Sequence, residues 1–215
     1  LFHSQEFLLL FLPVALVGWY AAAGRKEVRV AWMIAVSLVF YAYWDVRLLP
    51  LLVLSILANW GLAALAYGKP GGERLRRFAA PLGIVFNLFI LGIFKYADFV
   101  ADSVAVILGQ PHDPWGIVLP LGISFFTFQQ ISYLADLRKG TAPVYRLADY
   151  ALYVSYFPQL IAGPIVRRHE LLPQLKKLGM LKENQVGAGV FRILRGCLKK
   201  AVIADPLMDG IVESA

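Results

Sequence analysis

Long runs of uncharged, mostly apolar residues constrain this chain more than any other feature. A helix needs about 20 such residues to cross a bilayer. The runs Phe7–Ala23, Val30–Trp44 and Leu48–Tyr67 approach or reach that length. Apolar residues make up 59% of the chain and charged residues 16%, against about 25% charged in an ordinary soluble domain. The pattern therefore predicts an all-α, multi-span transmembrane bundle, with residues 1–215 forming one membrane domain.

Three further runs follow in the second half of the chain. Phe78–Leu108 is long enough to cross once as a long or kinked helix, and Trp115–Ala135 is predicted to be the next span. Ala151–Val166 is also uncharged, but Pro158 and Pro164 interrupt it. Because proline removes a backbone donor and clashes with the preceding turn, this last run is predicted to be a broken element.

The basic residues are placed in short loops between the apolar runs. The chain has a net charge of +7, and Arg25–Arg29 and Gly68–Arg77 are basic loops. The positive-inside rule places both loops in the cytoplasm and the N-terminus outside. Basic loops that flank spans are typical of membrane proteins, in which they set the orientation of the spans and contact anionic lipids. This placement of charge argues against a nucleic-acid partner.

The flanks of the broken run predict its topology. Arg146 precedes Ala151–Val166, and Arg167 and Arg168 follow it, so both ends are expected on the cytoplasmic side. A segment that enters and leaves on one side is re-entrant. Irregular backbone at membrane depth is tolerated only when it is buried in protein or lines a wet cavity, so this segment is predicted to face a cavity.

The tail, Val186–Ile203, reads as a basic amphipathic helix. Arg192, Arg195 and Lys199 fall on one helical face, which suits a membrane interface or a cavity wall. Cys197 is the chain's one cysteine, so an internal disulfide or a cysteine-based zinc site is excluded, and no metal site is expected.

Polar side chains at membrane depth are candidate functional groups because they are costly there. Gln129, Tyr133 and Asp136 are spaced i, i+4 and i+7 within Trp115–Ala135 and its end, which makes a polar stripe. The stripe has two readings, hydrogen bonding that holds the bundle together or the lining of a cavity.

No histidine lies within an apolar run. His3, His112 and His169 lie near the terminus, in a turn and beside the broken run. His169 is nearest to that run, but we do not expect it to be a catalytic base. The residues alone therefore predict a bundle with a polar broken element, and no reaction.

Several segments resemble the membrane-bound O-acyltransferase family. Leu119–Asp136, Tyr153–Arg167 and Gly196–Asp205 carry the resemblance, and Phe94–Phe99 and Phe2–Pro13 fit the same pattern. Together they are more similar to the bacterial alginate O-acetyltransferase branch than to the D-alanyl-transfer branch.

The resemblance implies tilted helices around a funnel, with re-entrant pieces, in the bacterial inner membrane. It implies transfer of an acetyl group from a cytoplasmic thioester such as acetyl-CoA, with no bound cofactor, to hydroxyls of an exported polysaccharide with the help of periplasmic O-acetylation proteins. The family's catalytic histidine lies in a tryptophan-histidine motif beyond the matched region, and His169 does not match it. The chain is therefore expected to be the N-terminal half of a longer protein and to be inactive by itself.

The resemblance also implies roles for single residues. Four residues of the broken run would shape the cavity element: Pro158, Gln159, Gly163 and Pro164. Arg167 would lie at its cytoplasmic mouth. Lys199 and Lys200 would attract an anionic acyl donor by their charge, or would contact anionic lipid.

Other functions fit part of the pattern. The acceptor could instead be a teichoic acid or a lipid, and the acyl group D-alanyl. A broken helix with polar lining also suits a transporter, although the chain shows no inverted repeat. A non-catalytic membrane scaffold is the third class.

Overall fold

The computed structural model describes residues 4–22, 24–68, 73–109, 115–160, 171, 173–174 and 183–204. These residues contain helices and no strand, which confirms the all-α prediction. The chain divides into two compact units, one formed by Leu1–Lys26 with Leu178–Ala215 and the other by Glu27–Lys177. In chain order the helices are α1 (Leu12–Ala21), α2 (Lys26–Trp44), α3 (Leu49–Tyr67), α4 (Glu73–Leu108), α5 (Ile123–Arg138), α6 (Leu147–Ser155), α7 (Phe157–Leu160) and α8 (Glu183–Leu198).

The first unit contains α1 and α8. A π-helical turn, Phe7–Phe11, leads into α1, where Pro13 lies in the first turn. A missing N–H is harmless there because the first N–H groups of a helix have no partner within it. The predicted amphipathic tail is confirmed as α8, followed by a π-helical turn at Lys199–Ala204.

The second unit holds the helices that are long enough to cross a membrane. Among the described residues these are α2, α3 with the turn before it, and α4, whereas α1 with its preceding turn is shorter. The prediction that Phe78–Leu108 forms one long element is confirmed, because α4 is a single helix of 36 residues that continues through Pro81. A tight turn joins α2 to α3, and in it the Asp45 carboxylate accepts a hydrogen bond from the Arg47 N–H at 2.8 Å.

The core of this unit lies where α3, α4, α5 and α6 pack together. Its fully buried side chains include Tyr41, Leu52, Phe126, Leu134 and Tyr150. Large apolar side chains such as Leu54, Leu65 and Phe89 are exposed on the outside of the spanning helices. Exposed apolar side chains on such helices fit a hydrocarbon surrounding, which agrees with a membrane bundle.

The start of α5 differs from the sequence prediction. The span was predicted to begin at Trp115, but the helix begins at Ile123, and residues 115–120 are non-helical. Gly122 precedes the helix in a left-handed conformation with φ +67°, which an ordinary residue adopts only with strain. The Trp115 N–H donates to the Asp98 carboxylate at 3.0 Å, so the non-helical stretch starts alongside α4.

The predicted break in Ala151–Val166 is present but lies before the first proline. α6 ends at Ser155, Tyr156 leaves the helical conformation, and the short α7 follows. A continuous helix would bring the Pro158 ring against the Val154 carbonyl, since proline clashes with the carbonyl four residues earlier. The backbone therefore turns at Tyr156, and Pro158 occupies the first turn of α7, where it is tolerated.

Two contacts with α2 show how far the broken segment enters the unit. Arg146, just before α6, pairs with Glu27 in the first turn of α2 at 3.0 Å. After the break, the Phe157 N–H donates to the Ser37 hydroxyl at 3.2 Å. Because a helix rises about 1.5 Å per residue, these contacts are about 15 Å apart along α2. The break therefore lies about half the thickness of a bilayer core, roughly 30 Å, from the Glu27 end.

Residues 161–170, which would form the return leg, lie outside the described residues. The re-entrant topology therefore stays a prediction. What the described part establishes is that Glu27 and Arg146 share one end of the bundle, as expected from the prediction that the Arg25–Arg29 loop and Arg146 lie on the same side.

The end of α7 approaches the start of α5 closely. A Cβ atom on Gly122 would overlap the carbonyl oxygen of Leu160. Glycine therefore meets two requirements at this position, the left-handed backbone and the close approach of Leu160.

Cysteine labelling tests the re-entrant topology. In a Cys197→Ser background, single cysteines at Asp149, His169 and Glu27 are expected to react with a membrane-impermeant maleimide from the same side. Val46→Cys, in the turn at the other end of α2, serves as the control and is expected to react from the opposite side. Reaction of the His169 position together with Val46 would make Ala151–Val166 an ordinary span.

Two glycine substitutions separate backbone strain from close packing. Gly122→Ala meets both, whereas Gly140→Ala has a similar φ of +71° and open space around its Cβ. We expect Gly140→Ala to cost about 1–2 kcal/mol from the left-handed backbone alone, and Gly122→Ala to cost clearly more, measured as thermal unfolding in nanodiscs. Equal losses would show that Leu160 moves aside without cost.

Candidate functional site

The polar stripe on α5 divides into residues with different surroundings. Gln129 and Tyr133 are buried, while Asp136 is half-buried. The Tyr133 hydroxyl accepts a hydrogen bond from the Tyr145 N–H at 3.2 Å and donates to the Pro143 carbonyl at 3.3 Å. Tyr133 thus ties the α5–α6 connection to α5, which is the bundle-holding reading of the stripe.

Gln130 forms a buried network that the sequence analysis missed. Its amide nitrogen donates to the Ser55 hydroxyl at 2.9 Å, and its amide oxygen accepts from the Tyr150 hydroxyl at 3.4 Å. The Tyr150 hydroxyl is neutral near pH 7 and therefore acts as the donor in this contact. The network joins α3, α5 and α6.

A second polar pair joins α3 to α4. The Asn87 amide donates to the Asn59 oxygen at 2.6 Å, and Asn59 donates in return at 3.3 Å. The remaining N–H groups bond to backbone carbonyls four residues earlier, at Ser55 and Gly83. Both amides are thus fully occupied by protein. The signal that could have found them is an asparagine or serine within an apolar run, where a polar group needs a partner.

Side chains supply the hydrogen bonds that the break removes from the backbone. The Ser37 hydroxyl accepts from the Phe157 N–H, and the Gln159 amide donates to the Tyr153 carbonyl at 3.2 Å. The Phe157 ring also packs against Phe40 with ring centroids 5.5 Å apart. The break is therefore held in one geometry from two sides.

Among the described residues, the buried side-chain oxygens without a hydrogen-bond partner include the Tyr41 hydroxyl and the Gln129 amide oxygen. Gln129 is the one that belongs to the predicted stripe. Its side chain is 3% exposed, and its amide oxygen is buried without a hydrogen-bond partner. Leaving such an acceptor unpaired costs free energy, about 1–3 kcal/mol. Within the predicted stripe, the Gln129 amide oxygen is therefore available to accept a hydrogen bond from a bound molecule.

The predicted site residues fall into three sets. Gln159 is buried and Pro158 is exposed, so only the glutamine faces the interior of the unit. Lys199 and Lys200 are exposed in the π-helical turn after α8, in the other unit. The remaining predicted residues lie outside the described residues: Gly163, Pro164, Arg167 and His169.

Apart from the half-buried Asp136 carboxylate, the described polar groups of the stripe and the break are amides and hydroxyls. These groups can orient a neutral polar molecule or bind water, and they cannot act as a base near neutral pH. All three histidines, His3, His112 and His169, lie outside the described residues. Among the residues described, no group of histidine, cysteine, aspartate and glutamate side chains is arranged to hold a metal ion.

Comparison with known proteins identifies relatives along nearly the whole chain. The chain is 37% identical over 95% of its length to a peptidoglycan O-acetyltransferase of Helicobacter pylori. It is 39% identical over 96% of its length to a probable alginate O-acetylase, AlgI, of Pseudomonas aeruginosa. A teichoic acid D-alanyltransferase of Bacillus subtilis is 25% identical over 65% of the chain.

The chain spans less than half of these relatives, 44% of the first and 40% of the second. No family model matches the chain, and no solved structure matches it. The identities nevertheless cover the segments that carry the family resemblance, and the alginate O-acetylase matches more strongly than the D-alanyltransferase. The resemblance is thereby confirmed: the chain is a relative of the bacterial membrane-bound O-acyltransferases along nearly its whole length.

Proposed function

We propose that this chain forms the broken-helix part of a membrane acyltransferase that transfers acetyl groups to hydroxyls of an exported, alginate-like polysaccharide. The observation that carries the proposal is the 39% identity to a probable alginate O-acetylase over 96% of the chain. The proposed location is the bacterial inner membrane, with the N-terminus outside and the Glu27–Arg146 end in the cytoplasm. The proposed partners are periplasmic polysaccharide O-acetylation proteins.

The proposed reaction is attack of a hydroxyl on a thioester such as acetyl-CoA. The hydroxyl oxygen forms a bond to the acyl carbon, the carbon–sulfur bond breaks, and the sulfur leaves as a thiolate, which then takes up the proton from the base to form the thiol. The hydroxyl proton passes to a general base, which the family resemblance implies to be a histidine. The exposed Lys199 and Lys200 could attract the anionic donor by charge.

The broken segment has the properties that such a site requires. It enters beside the Glu27–Arg146 pair and turns at Tyr156, about 15 Å further along α2. Gln129 presents an unpaired buried amide oxygen among the described residues of the same unit. A hydroxyl donor, from an acceptor molecule or from water, would satisfy that oxygen.

Peptidoglycan is the second candidate acceptor. The observation in its favour is the 37% identity to a peptidoglycan O-acetyltransferase over 95% of the chain, close to the value for the alginate relative. Both candidates share the same chemistry, an acetyl ester on a sugar hydroxyl outside the cell. They differ only in the polymer that is modified.

Expression of the complete native gene that encodes these 215 residues, in two bacterial hosts, tests the function and the acceptor. One host would lack its own alginate acetylase, and the other its own peptidoglycan O-acetyltransferase. We expect base-labile acetyl esters to return to the alginate of the first host, measured by NMR of the purified polymer. Esters on peptidoglycan alone would assign the second acceptor.

Acetyl esters on neither polymer, with the protein present in the membrane, would contradict the proposed function and favour the scaffold or transport reading. An empty vector and a host with its own enzyme restored serve as controls.

Substitution of two neighbouring glutamines tests the role of Gln129. Gln130→Leu removes the partner of Ser55 and Tyr150, so we expect a loss of about 1–3 kcal/mol in unfolding free energy. Gln129→Leu removes an unpaired buried oxygen, so we expect stability to be equal or higher, but at least a tenfold loss of acetyl transfer per folded protein. Thermal unfolding and polymer acetylation are measured on both variants.

The two variants are matched in size and position, so each is the control for the other. If Gln129→Leu loses stability as Gln130→Leu does while the folded protein retains its activity, then Gln129 has a packing role. Full activity and full stability in Gln129→Leu would likewise remove Gln129 from the site.

A further inference from the structure

Helix α8 carries an apolar face, and its C-terminal half carries a basic face on the other side. Val190, Leu194 and Leu198 recur at spacings of four residues and lie on one side. Arg192 and Arg195 lie on the opposite side, and Lys199 continues that side into the turn that follows. Such a division is typical of a helix that lies at a boundary between an apolar and a polar medium.

The apolar face of α8 is exposed. The exposed fractions are 51% for Val190, 57% for Leu194 and 62% for Leu198. Phe191 and Val186 at its margins are exposed as well. A continuous exposed apolar strip of this kind marks a surface that contacts lipid or protein.

The basic face is exposed too. Arg192, Arg195 and Lys199 are all accessible to solvent, and no carboxylate in the described part of the chain pairs with them. Their charge is therefore available to an external anion. Three cations on one face, next to an apolar strip, complement the surface of an anionic bilayer, in which charged headgroups lie above apolar acyl chains.

A spanning role does not fit α8. Its 16 residues extend about 24 Å, shorter than a bilayer core of roughly 30 Å, and two arginines lie within it. α8 belongs to the same polypeptide as helices that are long and apolar enough to cross a membrane, and this covalent linkage raises its effective concentration at a lipid surface.

We propose that α8 lies in the plane of the membrane surface and binds anionic phospholipid. The side chains of Val190, Leu194 and Leu198 insert at the boundary between headgroups and acyl chains. Arg192, Arg195 and Lys199 contact the lipid phosphates. This proposal is independent of the acyltransferase function, because it rests on the two faces of α8 alone.

The chain provides its own probe for this geometry. Cys197 is the chain's one cysteine, is half-buried, and lies on the apolar side of α8, seven residues after Val190. A nitroxide spin label on Cys197 in the full chain would report the depth of α8 through its relative accessibility to oxygen and to a water-soluble nickel chelate.

The experiment compares vesicles of phosphatidylcholine with vesicles that also contain phosphatidylglycerol. With the anionic lipid we expect the label about 5–10 Å below the headgroups, accessible to oxygen and protected from nickel. The triple variant Arg192→Gln, Arg195→Gln, Lys199→Gln is expected to lose this response, since each cation contributes about a fivefold preference for an anionic surface. The double variant Arg138→Gln, Lys139→Gln removes exposed cations elsewhere and is expected to leave the response unchanged.

Four outcomes would overturn the proposal. A label protected from both reagents in both lipids would show that protein covers the apolar face. A label accessible to nickel in both would show that the face remains in water. Equal depth in both lipids would exclude recognition of anionic headgroups. A shift on adding coenzyme A to neutral vesicles would assign the basic face to a soluble anionic donor.

Discussion

The constraint on which the rest of the second unit depends is that a broken helix in an apolar medium must find partners for its freed backbone groups within the protein. The break at Tyr156 frees the N–H of Phe157, and Ser37 on α2 accepts it. On the other side of the break, the Gln159 amide donates a hydrogen bond to the Tyr153 carbonyl. α2 therefore helps to hold the break, because its serine accepts the hydrogen bond that the backbone no longer makes.

The same constraint separates structural polar groups from available ones. Asn59 and Asn87 satisfy each other and two carbonyls, and Gln130 is occupied by Ser55 and Tyr150. Polar groups that are saturated in this way hold helices together and have little capacity left for a ligand. The unpaired oxygen of Gln129 contrasts with the adjacent Gln130, whose amide group is hydrogen-bonded to Ser55 and Tyr150. Gln130 shows that this bundle can supply partners for a glutamine that has a structural role.

The apolar runs were sufficient to predict α2, α3, α4 and the amphipathic tail, because span length and helical periodicity are properties of the sequence alone. They could not locate the start of α5, since one left-handed glycine, Gly122, ends the non-helical stretch inside an otherwise continuous apolar run. The break was predicted from Pro158 but occurs at Tyr156, since the proline acts on the carbonyl four residues before it. The contact of Gln130 with Ser55 joins residues 75 positions apart, which no local pattern reveals.

The non-helical parts of the second unit converge on one place. Residues 115–120 start beside Asp98 on α4 and lead to Gly122, while α6 and α7 start beside Glu27 and lead to Leu160. Gly122 and Leu160 are in close contact. The non-helical residues 115–120 and the broken helix α6–α7 therefore approach each other from different ends of the described bundle. Non-helical backbone at membrane depth occurs where protein covers it or where water reaches it. The proposed transfer of an acetyl group needs a polar route across the bilayer. We expect this route to pass the contact between Gly122 and Leu160, because the described backbone departs from helical structure before Gly122 and at Tyr156, before Leu160.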